Sequence, residues 1–514
     1  MVSLPNRPPR THVSIPSILI TGGTGFVGSA IARALLTHHP ETHLTILDLI
    51  IPDHSTLLSR GLVNPNLTLL PPCNILSLPA LVSLFLSLPH PPTAVIHTAG
   101  FVPPLAHRYS RNLESETYTA NITGTRNVLV ASLRAGVRAF VYTSSCCVVI
   151  DGFGRDYADI DERWPVLRRG EGTVYGEAKA RAEELVLAAN GAETGGRLRQ
   201  KSCGRNGERS GSDDIVDSSD DGDDDTKNDD DDEDDHLSND KQQFNTAPSV
   251  MLTTSLRPAT TYGEHDHQLS PSIVSIIADK PFSLEAMVQI GDGHNLWDTV
   301  YVGNSAWAHV LAVENLLGVP YVPGAAAAAA ADTGMCDPDD VHLSAKEKSM
   351  KQTERHDKRS TDSEHQIPSN RPSAAGLAIF ISNPHPITFR EFCLGLWFFY
   401  SRYTPPFTLR LPLFLAWVFA ALVEAYTWFT GGEGTLSRGS LADAVAVRYV
   451  SGERARRVLG YTALYGWEEG LERTCEDVRR RRREEGWRRS NGDLAVGRTG
   501  ISKGRGEWKM EGAG

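Results

Sequence analysis

The chain carries, near its N-terminus, the segment Ile18-Leu-Ile-Thr-Gly-Gly-Thr-Gly-Phe-Val-Gly-Ser-Ala-Ile-Ala-Arg-Ala-Leu-Leu36. An apolar run, a glycine-rich turn and a second apolar run at helical spacing predict a buried parallel strand, a tight turn and a helix. Gly22 permits the sharp turn, Gly25 lets the backbone approach a pyrophosphate group, and Gly28 lets the helix pack closely against the strand. The N–H groups that begin the helix then face the phosphates. The segment therefore predicts a dinucleotide-binding site.

An acid follows the next apolar run at the spacing that such a site needs. His43-Leu-Thr-Ile-Leu-Asp48 predicts a second strand, and Asp48 lies 20 residues after Gly28. A carboxylate at this position accepts hydrogen bonds from the adenosine ribose. Taken alone, Asp48 is also explained as a solvated acid at a strand end, and glycine-rich turns occur without a ligand. The two features together favour dinucleotide binding.

Strand-like apolar runs alternate with helical segments through the first half of the chain. This alternation predicts an α/β fold: a Rossmann-type doubly wound parallel sheet, with a smaller C-terminal substrate domain and two disordered insertions. Gly22, Asp48, Ala99 and Ser145 fall at the carboxyl ends of predicted strands, where such a sheet binds its ligand. The other predicted strands are Leu67–Leu70, Ala94–Gly100, Ala139–Ser145, Val250–Leu256 and Gly376–Ser382.

Charge is distributed unevenly along the 514 residues. The net charge is −12, but 16 acids and one lysine lie between Asp213 and Asp240, so the remainder is nearly neutral. A nearly neutral remainder has no positive electrostatic field that would attract nucleic acid, so no nucleic-acid partner is expected. Residues 196–248 contain almost no large apolar side chain and cannot bury enough surface to offset their ordering entropy. They are predicted to form an acidic disordered insertion.

Composition also divides the rest of the chain into regions. Residues 324–375 form a second, low-complexity insertion with seven consecutive alanines, which are too few for an isolated helix. We expect a disordered tail at residues 486–514. The dinucleotide-binding Rossmann domain takes residues 14–195 and 249–262, and the substrate-binding region takes residues 263–323 and 376–485.

The seven cysteines show no Cys-x-x-Cys spacing. Their odd number and scattered positions predict reduced thiols facing a cytosolic compartment, with neither a disulfide framework nor a metal site. Residues 1–10 are rich in proline and lack an apolar core, so no cleavable signal peptide is expected.

Tyr175 and Lys179 are four residues apart on a predicted helix, so their side chains leave the same face. A tyrosine alone has a pKa of about 10, and a neighbouring ammonium group favours the phenolate. The pair therefore predicts a general base whose pKa the lysine lowers. Two half-exposed helix residues are the simpler explanation of this spacing alone. Ser145, at the end of an upstream strand, supports the catalytic one because it would donate a hydrogen bond to the substrate oxygen.

These motifs resemble the extended short-chain dehydrogenase/reductase superfamily. The resemblance lies in Thr21-Gly-Gly-Thr-Gly-Phe-Val-Gly28, Thr143-Ser-Ser145, Tyr175-Gly-Glu-Ala-Lys179 and Leu256-Arg-Pro-Ala-Thr-Thr-Tyr-Gly263. A narrower resemblance, to the 3β-hydroxysteroid dehydrogenase branch and its sterol-4α-carboxylate 3-dehydrogenases (decarboxylating), lies in Ile290-Gly-Asp-Gly-His-Asn-Leu-Trp-Asp-Thr-Val-Tyr-Val-Gly-Asn304.

The resemblance assigns roles to the predicted site. It implies that Tyr175 is the base, Lys179 holds the nicotinamide ribose and Ser145 donates a hydroxyl hydrogen bond. Asn121, in an Asn-x-x-Gly-Thr turn, takes a supporting role, although a helix cap explains it equally well. The implied cofactor-binding residues are Gly22, Thr24, Gly25, Phe26, Val27, Gly28, Asp48, Asn74, Ile75, Thr98, Ala99, Tyr175, Lys179 and Pro258.

Two positions depart from the resemblance. Asn74 stands where an acid usually holds the adenine amine, and its amide oxygen can still accept that bond. Cys146 and Cys147 directly follow Ser145 and are expected to be small packing residues, because no base for a thiol nucleophile is evident. Sugar dehydratases carry an acid pair here, so the two cysteines argue against that chemistry.

The implied activity is NAD-dependent oxidation of a 3β-hydroxyl group on a steroid or sterol. NAD is expected over NADP because Asp48 would repel a 2′-phosphate and no arginine follows it closely. A carboxylate next to the oxidised carbon would make the product a β-keto acid, which loses carbon dioxide through an enolate that Ser145 and Tyr175 are placed to stabilise. The alternatives are a plain 3β-hydroxysteroid dehydrogenase, a nucleotide-sugar epimerase, an NADPH-dependent ketone or flavonol-type reductase, and a non-enzymatic scaffold.

An apolar stretch of 19 residues, Leu411–Phe429, contains one charge, Glu424. It predicts membrane association, with Trp417, Tyr426 and Trp428 suited to the interface. Glu424 would cost about 2.5–3.5 kcal/mol at the bilayer centre, which favours an interfacial position over a span. A helix buried under the substrate pocket is the alternative. The resemblance implies the cytosolic face of the endoplasmic reticulum membrane, or else the cytoplasm, and leaves a homodimer open.

Overall fold

The computed structural model describes residues 13–195, 249–278, 283–318, 371–430 and 437–490. The two predicted insertions, 196–248 and 324–375, and the predicted tail, 486–514, lie wholly or mostly outside these described residues. The elements named below therefore belong to the described ranges alone.

Strands and helices alternate along the described chain. The strands are β1 (Ser17–Thr21), β2 (His43–Leu47), β3 (Leu67–Leu69), β4 (Ala94–His97), β5 (Ala139–Thr143), β6 (Tyr157–Ile160), β7 (Ala192–Glu193), β8 (Val250–Pro258), β9 (Thr260–Tyr262), β10 (Val288–Ile290), β11 (Leu296–Trp297), β12 (Thr299–Tyr301), β13 (Ala378–Ile381), β14 (Ile387–Thr388), β15 (Leu409–Leu411) and β16 (Arg448–Val450). The helices are α1 (Phe26–His38), α2 (His54–Ser59), α3 (Leu78–Ser87), α4 (Glu114–Tyr118), α5 (Gly124–Arg134), α6 (Val174–Ala188), α7 (Leu269–Ala278), α8 (Leu284–Met287), α9 (Val302–Gly318), α10 (Phe389–Ser401), α11 (Leu413–Thr430), α12 (Arg438–Val445) and α13 (Trp467–Ser490). Short 3₁₀ turns at Leu105–His107 and Cys146–Val148 and π-helical turns at Thr119–Thr123 and Ala455–Leu459 lie between them.

The main sheet has the strand order β13-β8-β5-β4-β1-β2-β3. These strands are parallel, and β7 adds to β8 in the antiparallel direction. The chain reaches one edge through β2 and β3 and then returns to the other side of β1 through β4. This reversal opens a crevice at the carboxyl ends of β1 and β4, where such sheets bind ligands. The α/β fold with a doubly wound parallel sheet is thus confirmed.

Helices cover both faces of this sheet. On one face, Ile31 of α1 and Leu311 of α9 pack with Ile18 and Ile20 of β1. On the other face, Phe85 of α3 packs with Leu19 in a second cluster. Burial on both faces explains why β1 reads as a continuous apolar run and not as an alternating one.

A second, smaller sheet has the order β14-β11-β16-β6. It joins β6, from the first third of the chain, to β16, from the C-terminal region, in a parallel pair. The segment Tyr157–Ile160, predicted as part of the Rossmann domain at 14–195, therefore pairs outside the main sheet. Sequence periodicity does not reveal such a pairing, because the partner strand lies almost 300 residues away.

Helix boundaries differ from the prediction at two places. The helical run that contains Asn121, which the sequence predicts from Tyr118 to Gly136, begins at Glu114 and continues as α4, a π turn and α5. The last helix continues to Ser490, so the first five residues of the predicted tail at 486–514 are helical. Arg479 on this helix donates to the carbonyl oxygens of Phe399 and Tyr400, which anchors it to α10.

The apolar stretch 411–429 forms α11, whose side chains are largely exposed. Phe414 is 72% exposed, Leu422 63% and Phe429 81%, while Ala416 and Ala420 pack against Leu441. The alternative of a buried helix is therefore wrong. The side chain of Trp428 lies outside the described residues. Across the described parts of the chain, no helix combines the length and apolar character needed to cross a membrane.

Replacing residues 198–246 with a short Gly-Ser linker should leave the fold intact. The chain ends flanking this segment already meet, because β7 pairs with β8 and the N–H of Thr194 donates to the carbonyl oxygen of Ser249 at 2.8 Å. Loop-closure entropy depends only weakly on length. The Tm should stay within about 3 °C of the full chain's value, with nucleotide binding retained; insoluble or non-binding protein would show that the insertion is structural.

Candidate functional site

The glycine-rich turn forms a cradle of bare backbone at the crevice. Gly22 has φ +70, and a Cβ on it would lie 2.7 Å from the backbone nitrogen of Ala99. A Cβ on Gly28 would clash with the carbonyl oxygen of Gly22, so the start of α1 packs directly on the loop. The N-cap residue, Gly25, supplies no side-chain cap to the first N–H groups of α1. These features fit a pyrophosphate group, whose oxygens would take the uncapped N–H groups.

Asp48 holds this loop in place from the end of β2. Its Oδ2 accepts the backbone N–H of Thr24 at 3.0 Å and the Thr24 hydroxyl at 2.6 Å, and its Oδ1 accepts the N–H of Leu49 at 2.8 Å. A carboxylate has further lone pairs, so acceptance from a ribose hydroxyl stays available. Arg60 also reaches the loop, donating to the carbonyl oxygen of Thr24. No arginine follows Asp48 closely in the sequence, but the fold brings Arg60 to the same loop.

The other predicted cofactor-binding residues line the same edge or support it. Asn74 Oδ1 already accepts the N–H of Leu76 at 3.0 Å in a local turn, which leaves one lone pair for an adenine amine. The side chain of Ile75 packs on Gly124.

Thr98 donates its hydroxyl to the carbonyl oxygen of Thr21 at 2.7 Å, and so ties β4 to the end of β1. Phe26 and Val27 occupy the half-buried first turn of α1, Ala99 faces Gly22, and buried Pro258 ends β8.

Ser145, Tyr175 and Lys179 converge where β5 ends against α6. The side chain of Tyr175 lies beside Ser145, whose hydroxyl group acts to lower the pKa of the tyrosine. The ammonium of Lys179 lies 6.0 Å from the centre of the Tyr175 ring and donates to the carbonyl oxygen of Thr143 at 3.0 Å. The structure thus brings the three predicted catalytic residues together.

The electrostatics of Tyr175 differ from the prediction. Burial raises the pKa of the Tyr175 hydroxyl well above its ordinary value, and the neighbouring Cys147 and Cys146 add to the rise. The charge of Arg108 and the hydroxyl group of Ser145 oppose it. The prediction that Lys179 lowers the pKa of Tyr175 is therefore wrong. The ammonium group of Lys179 instead donates to the carbonyl oxygen of Thr143. Burial also lowers the pKa of Lys179 to about 8, and Glu183 opposes this.

Asn121 lies in a π-helical turn, not at a helix cap. Its amide donates to the carbonyl oxygens of Phe101 and Thr117, and its Oδ1 accepts the N–H of Phe101 at 3.1 Å. A Cβ on Gly100 would lie 2.5 Å from Asn121 Oδ1 and 3.3 Å from Lys179 Nζ. Asn121 therefore fixes the loop after β4 against the lysine. π turns often occur at functional sites.

The two cysteines after Ser145 have different environments. Cys146 packs into a small apolar cluster with Val148 and Ile160, as expected. Cys147 lies beside the catalytic group: its N–H donates to Ser145 Oγ at 3.2 Å. A hydrogen bond from the Cys146 thiol lowers the pKa of Cys147, with Ser145 adding to the effect. The expectation that Cys147 is only a small packing residue is therefore incomplete.

The sequence interpretation missed Glu177, which holds α6 in place, and Arg108. Glu177 accepts hydrogen bonds from Arg111, from the Tyr118 hydroxyl at 2.7 Å and from the N–H groups of Gly170 and Gly172. Burial acts to raise the pKa of Glu177, but these bonds bring it below the ordinary value. The charge of Arg108, which lies on another loop, acts to lower the pKa of Tyr175. Its spacing carries no motif, so only the folded chain reveals it.

Comparison with known proteins places this geometry in a family. Residues 19–203 and 235–325 match the 3-beta hydroxysteroid dehydrogenase/isomerase family. The chain belongs to this family. Its members are oxidoreductases that act on CH–OH groups, so the predicted enzyme class and the predicted resemblance are confirmed.

Similar proteins include enzymes of different kinds. The chain is 25% identical to a sterol-4-alpha-carboxylate 3-dehydrogenase (decarboxylating) of Schizosaccharomyces pombe over 383 residues, covering 74% of this chain and 76% of the relative. It is 24% identical to a 2-alkyl-3-oxoalkanoate reductase of Stenotrophomonas maltophilia, covering 60% and 68% of the two chains. The structure of a dTDP-glucose 4,6-dehydratase from Streptomyces venezuelae, with NAD bound, shares the fold with a TM-score of 0.52 and 16% identity, covering 92% and 98%.

Tyr175→Phe should retain nucleotide binding and lose most turnover, about 10²–10⁴-fold, because it removes only the proton acceptor. Tyr461→Phe is the matched control, since it deletes another buried hydroxyl, one that donates to the carbonyl oxygen of Ser382. Steady-state NADH formation and nucleotide titration measure the two effects separately. Near-normal turnover in Tyr175→Phe would exclude this residue as the base.

Proposed function

We propose that this protein oxidises the 3β-hydroxyl group of a sterol 4α-carboxylate with NAD and releases carbon dioxide. The observation that carries the proposal is the convergence of Ser145, Tyr175 and Lys179 where β5 ends against α6, in an oxidoreductase family. A nicotinamide dinucleotide, when bound, accepts the hydride from the carbinol carbon. Tyr175, as the phenolate, takes the hydroxyl proton, and Ser145 holds the oxygen during the transfer.

The same two hydroxyl groups serve the second step. Oxidation next to a carboxylate gives a β-keto acid. The bond from the ring to the carboxyl carbon then breaks, its electron pair forms an enolate, and carbon dioxide leaves. Negative charge develops on the oxygen that Ser145 and protonated Tyr175 contact, so both can donate hydrogen bonds to it without rearrangement. No additional catalytic group is needed.

The names of both relatives support this substrate class. A sterol 4α-carboxylate with a 3-hydroxyl and a 2-alkyl-3-oxoalkanoate share one chemical unit, a carboxylate on the carbon beside an oxygen-bearing carbon. The reductase relative also supports a second candidate, reduction of such a keto acid by the same residues. The nucleotide-sugar epimerase and flavonol-type reductase alternatives have no such support.

NAD is the proposed cofactor, in preference to NADP. The carboxylate of Asp48 is fixed by the N–H and hydroxyl of Thr24 at the end of β2, where a 2′-phosphate would meet its negative charge. Arg60 is a cation near Asp48, since the charge of Asp48 acts to raise the pKa of Arg60. Because Arg60 already donates to the carbonyl oxygen of Thr24, we expect the carboxylate of Asp48 to face the ribose.

Purified protein supplied with a 4α-carboxy-3β-hydroxysterol and NAD should form NADH and carbon dioxide in equal amounts. NADP should give a lower kcat/KM, and UDP-glucose and simple ketones with NADPH should give no turnover. NADH absorbance and trapped carbon dioxide, followed together, measure both steps. NADH without carbon dioxide would leave a plain 3β-hydroxysteroid dehydrogenase, and activity with the ketones or the sugar nucleotide alone would exclude the sterol assignment.

We also propose that α11 binds the surface of a lipid membrane, which would bring the enzyme to its apolar substrate. The exposed face includes Phe414, Trp417 and Leu422, and such apolar surfaces on a protein mark interaction sites. Glu424 does not stand alone on this helix, because Arg438 Nε donates to it at 2.7 Å. This pairing reduces the charge that an interfacial position would bury. The endoplasmic reticulum location and the homodimer stay predictions.

Replacing Phe414, Trp417, Phe419 and Leu422 with serine should abolish flotation with phosphatidylcholine vesicles, because it removes the apolar face of α11. Serine at Leu49, Leu58 and Leu86 is the control, since these side chains are equally exposed but lie elsewhere. Full-length protein that does not float, or a control that loses flotation to the same extent, would contradict membrane binding by α11.

A further inference from the structure

The connection between α10 and α11 presents apolar side chains to solvent. Phe407 is 56% exposed and Leu409 is 54% exposed, and both directly precede the exposed helix α11. Leu411, at the end of β15, packs against the small cluster that contains Ala416 and Ala420 of α11. The connection and the helix therefore form one surface, the 402–430 surface.

This surface carries an excess of positive charge. Residues 402–430 contain two arginines, Arg402 and Arg410, and one acid, Glu424. Arg438 neutralises the acid, because its Nε donates to Glu424 at 2.7 Å. Arg402 and Arg410 are both exposed, and neither forms an ion pair with a carboxylate in the described parts of the chain. The 402–430 surface therefore combines exposed apolar side chains with two positive charges that have no counter-charge.

Arg402 has a backbone conformation that favours glycine. It is the C-cap residue of α10, with φ 58 and ψ 22, in the left-handed region. Glycine adopts this conformation without the clash that a Cβ causes, and it is the usual residue where a helix ends in this way. The guanidinium of Arg402 lies 4.6 Å from the centre of the half-exposed Phe398 ring, at the edge of the same surface. An arginine in a strained conformation beside an exposed apolar surface indicates a function for its side chain.

We propose that the 402–430 surface selects bilayers that contain anionic phospholipids, with Arg402 and Arg410 bound to the headgroups, an inference that rests on the membrane binding proposed for α11. The apolar side chains enter the boundary between headgroups and acyl chains. The two guanidinium groups donate hydrogen bonds to the phosphate and carboxylate oxygens of the headgroups. A second copy of the chain fits this surface less well, because a symmetric contact would bring two more arginines without a counter-charge and no free acid.

The test measures binding of the full-length protein to two kinds of vesicle, phosphatidylcholine alone and phosphatidylcholine mixed with phosphatidylserine. Wild-type protein should bind the mixed vesicles about 20–30-fold more tightly, because each arginine near an anionic surface contributes about fivefold. Arg402→Gln and Arg410→Gln should each bind the mixed vesicles about fivefold more weakly, with binding to phosphatidylcholine unchanged. High salt should reduce the difference between the two kinds of vesicle, since it screens exposed charges.

Arg402→Gly separates lipid binding from a structural role. It removes the strain at the end of α10, so the Tm should stay unchanged or rise by about 1–3 °C, while binding to the mixed vesicles falls as in Arg402→Gln. Arg402→Lys keeps the charge and should keep most of the binding. The matched control combines Arg134→Gln with Arg138→Gln, because these two exposed arginines also have no ion pair in the described residues but lie elsewhere on the protein. It should bind both kinds of vesicle as the wild-type protein does.

Three outcomes would contradict parts of this account. Equal binding of wild-type protein to both kinds of vesicle would exclude selection of anionic lipid and leave the membrane binding of α11 standing. An equal loss of binding in the control, or a lower Tm in Arg402→Gly, would exclude the proposed role of Arg402. If wild-type protein binds neither kind of vesicle, the membrane binding proposed for α11 fails, and this inference with it.

Discussion

Two buried carboxylates on α6 fix the helix that carries both Tyr175 and Lys179. Glu183 accepts Arg257 Nε at 3.1 Å and the Ser255 hydroxyl at 2.7 Å, and so ties the helix to β8. Glu177 binds the loop before the helix and the side chain of Arg111. Removing one partner of a buried pair costs about 3–5 kcal/mol, because the other charge stays buried and unpaired. The position of the catalytic tyrosine therefore depends on these contacts with β8 and the loops around α6.

The crevice depends on a second constraint, the close approach of β1 and β4. The Gly22 backbone lies against Ala99, and Thr98 bonds back to Thr21, so no side chain can occupy the space between the two loops. His97, buried between the hydroxyl groups of Thr21 and Thr125, supports the same junction. Burial lowers the pKa of His97 to about 3, with Lys179 adding to the effect, so the ring stays neutral beside the lysine. The result is a bare backbone edge opposite the catalytic helix.

The sequence predicted the sheet and the local motifs because these depend on contacts close in the chain. Glycine spacing, the acid after β2 and the Tyr-x-x-x-Lys pair each follow from a single turn or helix. The sequence did not predict what distant segments bring together. The pairing of β6 with β16, the approach of Arg60 to Thr24 and the bond from Arg108 to Gln268 each join residues whose types are common and whose spacing carries no signal. The pKa of Tyr175 could not be predicted from the sequence either. Burial is the largest cause of its shift, and burial depends on the whole fold.

The central claim is that hydride leaves the carbinol carbon of a carboxylated sterol before carbon dioxide does. A 4α-carboxy-3β-hydroxysterol with deuterium on the carbinol carbon, supplied with NAD, tests it directly by mass spectrometry of the nucleotide and the sterol. The account predicts one deuterium in each reduced nicotinamide, for every molecule of carbon dioxide released, and none left on that carbon of the ketone. Deuterium that stays on the sterol while carbon dioxide is released, or that appears in water, would contradict it.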